Sequence, residues 1–216
     1  MAPMCGAVDG VNEAGLCITY NYAYATDPCE PAPTISMLVS EALGHCRTVP
    51  EAIGFLSSAR RWGGGLLMLG DASGQIGSVE LSNTRSASHA DLGGTDWLFH
   101  ANRFRNSSMR SAEINDQAVY SNRSPRALRG ERVHTSSDLR EGRLQIRLSA
   151  CRPLSSDDIH HVMSDHGAED QASSHTICMH GNYWHTTACV QISPAERELR
   201  VSYSTACRAE FETFSL

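Results

Sequence analysis

The chain has 216 residues, enough for one large domain or two small ones, and its 41% hydrophobic and 19% charged residues are ordinary for a globular protein. All 18 basic residues are arginine and face 24 acidic ones, for a net charge of −6. That balance excludes the basic footprint of non-specific nucleic-acid binding, and the absence of lysine excludes Schiff-base chemistry, a pyridoxal site and a phosphate-binding P-loop.

In chain order, Ala7 to Asn21 reads as two strands around a polar turn at Asn12–Gly15, with Leu16, Ile18 and Tyr20 alternating. Pro28, Pro31 and Pro33 make 27–33 a loop. The spacing of Met37, Leu38, Ala42 and Leu43 predicts a helix weakened at Gly44, and a second starts at Thr48 with Pro50 in its first turn. From Gly63 the period becomes that of strands, and 64–70 with 75–81 predicts a hairpin. Residues 83–95 are polar and read as loop, and Trp97–Asn102 as a short strand. Arg123, Arg126, Arg129 and Arg132 recur at three-residue spacing, which reads as the solvated face of a helix. A further helix is expected within Pro153–His166, capped by Ser155 or Ser156 with Asp157 and Asp158 in its first turn. The end returns to strands at Thr187–Ile192, Leu199–Tyr203 and Phe211–Phe214. Hairpin-linked strands with helices in pairs predict an antiparallel α+β fold rather than a doubly wound parallel one.

No apolar run approaches the roughly 20 residues of a membrane helix. The opening Met1 to Val8 lacks the basic region and apolar core of a secretory signal, so a cytoplasmic location and reduced cysteines are expected. The eight cysteines form no CxxC pair, and several sit in apolar stretches as small buried hydrophobes. His175, Cys178, His180 and His185 lie close together, preceded by His160, His161 and His166. Their spacing matches no standard finger, ribbon or HExxH helix, so no metal is expected, with a metal-dependent hydrolase as the weakest of three readings. No G-x-S-x-G occurs, which argues against a serine nucleophile.

Three segments together carry a resemblance: Asp9 to Asn21, Leu98-Phe-His-Ala-Asn-Arg-Phe104, and Thr187 to Ile192 followed by Leu199 to Leu216. They are similar to the isopenicillin N acyltransferase (acyl-coenzyme A:6-aminopenicillanic-acid acyltransferase) family of N-terminal-nucleophile cysteine hydrolases. More distantly, the opening resembles penicillin V acylases and bile-salt hydrolases. The resemblance implies one domain over 1–216, a four-layer αββα sandwich, and amide-bond chemistry by an N-terminal cysteine whose own α-amino group is the general base. It assigns Asn102, in His100-Ala-Asn-Arg-Phe104, to holding the oxyanion, and Asn21 to the same region. Arg103 stands where the family usually has a second histidine.

In that family the nucleophile stands well upstream of the Gly-x-Asn-x-x-Gly-Leu strand, here containing Gly10 to Leu16, with a hairpin between them for which Met1 to Ala7 leave no room. Only Cys5 is available upstream, and it is not N-terminal as written. The expectation is therefore a sandwich lacking its first strands and a chain missing the usual nucleophile segment, inactive alone. The natural protein would be longer, or split with a protein partner, or a non-catalytic binding subunit of the same fold. A small amide or an acyl-coenzyme A is the expected substrate, with no organic cofactor, nucleic acid or membrane as partner.

Overall fold

The computed structural model describes residues 6–91, 97–150 and 154–216. Strand β1 (Asp9–Val11) and strand β2 (Cys17–Ala23) form the first hairpin. Its turn is held by Asn12, whose Oδ1 accepts from the Ala14 and Leu16 amides while Nδ2 donates to the Leu43 and Cys46 carbonyls. Gly15 takes φ 81°, and a Cβ there would lie 2.7 Å from the Pro194 carbonyl oxygen, so this turn needs glycine twice over.

Helix α1 (Ile35–His45) and helix α2 (Val49–Ser58) follow as expected. Thr48 caps α2 by accepting from the Glu51 amide, with Pro50 in the first turn. Strand β3 (Gly64–Gly70) and strand β4 (Ile76–Leu81) make the expected hairpin. Asp71 locks its turn to α2, accepting from Ser73 N and Oγ on one side and from the Val49 amide at 2.9 Å on the other.

Residues 86–91, expected as loop, instead form strand β5 (Ser86–Asp91), paired along its length with β4. Its Ser-Ala-Ser-His-Ala-Asp sequence has no large apolar residue because it is the last strand of its sheet, where the backbone ladder rather than a buried face holds it. The sheet runs β1-β2-β3-β4-β5, antiparallel throughout.

Period-2 alternation gives this sheet two distinct faces. Ile18, Leu67, Leu69, Val79 and Leu81 pack with Ile35, Leu38, Val39 and Ala42 of α1 and Val49, Ala52 and Leu56 of α2. The opposite face carries a smaller cluster of Ala23, Leu66, Phe104 and Met109. Register aligns Asn21, Leu66, Glu80 and Ala87 in one row across that second face.

Trp97–Asn102, expected as a strand, has no strand structure. Its carbonyls at 100 and 101 are satisfied by a side chain, so it needs no ladder. A 3-10 segment at Ser107–Ala112 follows. The arginine-spaced stretch is not a helix either: 123–132 is a run of turns built on Ser121, Pro125 and Gly130, and the helix begins later as α3 (Thr135–Ala150). Helix α4 (Ser156–Met163) carries a full capping box between Ser155 and Asp158. Strands β6 (Cys189–Ser193), β7 (Glu198–Ser202) and β8 (Glu212–Ser215) form a three-stranded sheet in that order.

The chain divides into two compact units, one of residues 1–114, 192–199 and 214–216, the other of 115–191 and 200–213. Among the described residues no helix is long and apolar enough to cross a membrane.

Candidate functional site

Asn21 and Asn102 meet on the sheet face opposite the helices, in the first unit. Asn21 Nδ2 donates to the carbonyls of His100 and Ala101, both at 3.1 Å. Asn102 Nδ2 donates to the Tyr22 carbonyl at 2.8 Å. Each side chain thus binds the backbone beside the other, clamping the 100–102 segment to β2. An amide nitrogen carries two donors, and the Tyr22 bond fixes the plane of the Asn102 group.

Three further anchors position this segment. Glu80, next in the row from Leu66, accepts from the Arg105 and Asn106 amides at 2.9 and 3.1 Å. Burial raises the Glu80 carboxyl above its ordinary range, against the opposing pull of those amides. Arg103, standing where the resemblance led one to expect histidine, forms a buried pair with Glu113 at 2.9 Å. Glu113 Oε1 also accepts from the Phe104 amide at 2.9 Å. Phe104 then fills the apolar cluster beneath, and the Arg105 guanidinium lies 4.2 Å over the Phe99 ring.

His100 completes the motif. Burial, with the Arg105 charge adding to it, pushes its imidazole down to about 4, and its Nδ1 is buried without a hydrogen-bond partner. It is therefore neutral at pH 7 and has no role as a cation. Sequence spacing alone could not assign Glu80 or Glu113 to this site, because both reach it from other parts of the chain.

Cys5 lies outside the described residues. Of the described cysteines in this unit, Cys17 sits on β2 with its thiol pushed up to about 11, chiefly by burial, and Cys46 is raised by burial in the helix-side core. Both are protonated at neutral pH and are poor nucleophiles.

The second unit holds a separate cluster. One ligand-type atom each from His166, Cys178, His180 and Cys207 lies within 4.8 Å of the others. Burial raises the Cys178 thiol. At Cys207 burial acts the same way, but Thr205, His166 and Cys178 beside it outweigh burial and bring its thiol below the ordinary range. Of the grouping that spacing suggested, Cys178 and His180 take part, whereas His185 meets the His180 ring edge-to-face with centroids 5.3 Å apart.

Among solved structures, a variant of conjugated bile acid hydrolase from Clostridium perfringens matches 97% of this chain and 77% of its own, with a TM-score of 0.50 at 13% identity. At that identity the likeness is one of fold. No curated protein sequence matches the chain. The family model for acyl-coenzyme A:6-aminopenicillanic acid acyl-transferase matches residues 1–203. That match spans nearly the whole chain, and the chain therefore belongs to the acyl-coenzyme A:6-aminopenicillanic acid acyl-transferase family.

Proposed function

We propose that the chain is an amide-bond hydrolase or acyltransferase of the N-terminal-nucleophile class, in which Asn102 polarises the substrate carbonyl and Asn21 holds the segment that presents it. The observation that carries this reading is the reciprocal clamp between β2 and 100–102. It makes Asn102 a preorganised donor, as oxyanion stabilisation requires. The attacking thiol loses its proton to the cysteine's own α-amine, whose ordinary pKa of roughly 7.7–8.0 suits the task. Its sulfur adds to an amide or thioester carbonyl, the oxyanion collapses with departure of the amine or thiol, and water or an amine then takes the acyl group from sulfur.

None of the described cysteines, Cys17, Cys29, Cys46, Cys178, Cys189 and Cys207, carries a free α-amine, because each lies inside the chain with its nitrogen in a peptide bond. Two sources remain, Cys5 exposed by removal of the preceding residues, or a cysteine on a further segment. The pairing of β1 with β2 ends at Asp9 and Thr19, so Tyr20–Ala23 have no ladder partner on that edge among the described residues. A strand supplied to that edge would lie beside Asn21, as the first strands of a four-layer αββα sandwich would. A cytoplasmic location fits the free thiols.

The test is covalent trapping. The 216-residue chain, and a chain extended by the codons read in frame upstream, are incubated with a thioester or activated amide and weighed intact. An acyl adduct on an N-terminal cysteine, lost in Asn102→Ala, is the expected result. An adduct on neither form, with binding of the amide retained, would make the protein a non-catalytic subunit of the same fold.

A further inference from the structure

The cluster in the second unit goes beyond acyl chemistry and does not depend on it. Its four residues come from three places: His166 just after α4, Cys178 and His180 from the loop before β6, and Cys207 from the 3-10 turn Ala206–Arg208. His180 Nε2 lies 3.4 Å from both Cys178 Sγ and Cys207 Sγ. A tetrahedral zinc ion, with Zn–S about 2.3 Å and Zn–N about 2.0–2.1 Å, spaces its sulfur and nitrogen ligands about 3.6 Å apart. The side chains therefore already stand near the separations that the ion imposes.

The surroundings are those of a metal's supporting shell. His166 Nδ1 meets Asp170 Oδ1 at 3.1 Å, an arrangement that fixes the tautomer and leaves Nε2 as the ligand atom. That Nε2 is buried without a partner in hydrogen-bond geometry and faces the Cys207 thiol. The backbone amides of Ala206 and Cys207 point at Cys178 Sγ, and Thr205 Oγ1 lies 3.3 Å from Cys207 Sγ.

The scaffold is held independently on each side. Arg143 grips the Asp165 carboxylate through two bonds at 2.8 and 2.7 Å, and the Asp165 carbonyl accepts from the Cys178 amide. His160 Nε2 ties α4 to the Ala206 carbonyl at 2.8 Å. Cys178 to Thr186 folds back on itself through a bridge between His180 and His185, and Gly181 passes so close to Ser174 that no Cβ fits. Without a further tie, the stretch between α4 and β6 is long and irregular, a kind of segment that is uncommon in compact domains unless it has a function.

We propose that His166, Cys178, His180 and Cys207 form a closed, four-ligand structural site for zinc. Two sulfurs and two nitrogens converging at these distances suit a tetrahedral borderline-soft ion and leave no position open for a substrate. Sequence spacing did not bring these four together because Cys207 lies beyond a hairpin from the other three, and no spacing rule joins it to them.

The test uses the full chain, purified without chelator. Elemental analysis is expected to return one zinc per chain. Cobalt(II) added to the stripped protein should produce intense visible bands of a tetrahedral site and thiolate-to-cobalt charge transfer in the near ultraviolet. Cys178→Ser and Cys207→Ser should abolish the charge-transfer band or reduce it, Asp170→Asn should weaken zinc affinity by about 10–100-fold, and Cys29→Ser, at an exposed loop position, should change nothing. A weak octahedral cobalt spectrum, no stoichiometric binding, or a Cys178–Cys207 disulfide in the protein as isolated would overturn the proposal. Should the serine variants not fold, the stoichiometry and spectrum of the unaltered chain decide the question.

Discussion

A half-buried, neutral histidine sits two residues before Asn102, the proposed oxyanion donor, and its protonation bears on how the protein withstands acid. The folded pKa of His100 is depressed to about 4 from an ordinary 6.5. Between those values the unfolded chain binds a proton that the folded one does not, so stability falls as pH drops through that window. The contribution is up to about 3 kcal/mol. Denaturant midpoints measured from pH 7 to 4 should decline, and the decline should be shallower in His100→Asn. A profile identical in both proteins would mean that His100 is solvated. At Asn102 the expectation concerns rate. In an active form, Asn102→Ala should lower kcat by about 10²–10³-fold, the usual cost of removing an oxyanion donor. Asn21→Ala acts only through the segment it holds, so a rise in KM with a smaller change in kcat is expected.

At the scale of elements, the 97–106 segment shows how irregular backbone becomes rigid. It has no ladder, yet Asn21, Glu80 and Glu113 each take its polar groups, and the Arg103–Glu113 pair is buried with them. Glu113→Ala would take a carboxylate partner from the buried Arg103 guanidinium and remove the Phe104 amide's acceptor. A cost of about 3–5 kcal/mol in equilibrium unfolding is expected, as for other broken buried pairs. A second junction is Asp71, which joins the β3–β4 turn to the start of α2. Burial opposes its charge, but hydrogen bonds from Ser73, Val49 and Gln75 outweigh burial and hold its carboxyl below the ordinary range. Its contribution is therefore present at neutral pH and lost as pH falls through the folded pKa. Asp71→Ala should cost about 1–3 kcal/mol, since the buried Val49 amide loses its acceptor.

Across the whole molecule, the two units differ in how much of their backbone is laddered. The first rests on a continuous apolar core between one sheet face and two helices, with β3 and β4 almost wholly buried. Hydrogen exchange should be slowest in β3, β4 and Cys17–Thr19 of β2, whose backbone is laddered on both sides. The second unit buries Leu128, Leu144, Leu148, Val162 and Ile177 besides a cluster of Cys178, Cys189 and Ala206, and has much of its backbone in turns. Exchange there should be faster, and added zinc should slow it around 164–188 while leaving β2–β4 unchanged. An equal response in both units would point to general stabilisation rather than a local tie.

The amino-acid sequence by itself determined the hairpins, the first helix pair, the capped helix at Ser155, and the antiparallel character, because each depends on a period or a cap read within a few residues. It also carried the family resemblance, through the run from Asp9 to Asn21 and the His100–Phe104 motif. Where local pattern was silent or misleading, tertiary structure decided. The edge strand at 86–91 forms because a paired neighbour supplies its hydrogen bonds. The segment at 97–102 stays irregular because side chains supply them instead, and Pro125 and Gly130 turn the arginine-spaced stretch. The clamp between Asn21 and Asn102 and the meeting of Cys207 with His166, Cys178 and His180 each join residues far apart in the chain. Those encounters are products of sheet register and loop closure, which no short-range pattern encodes.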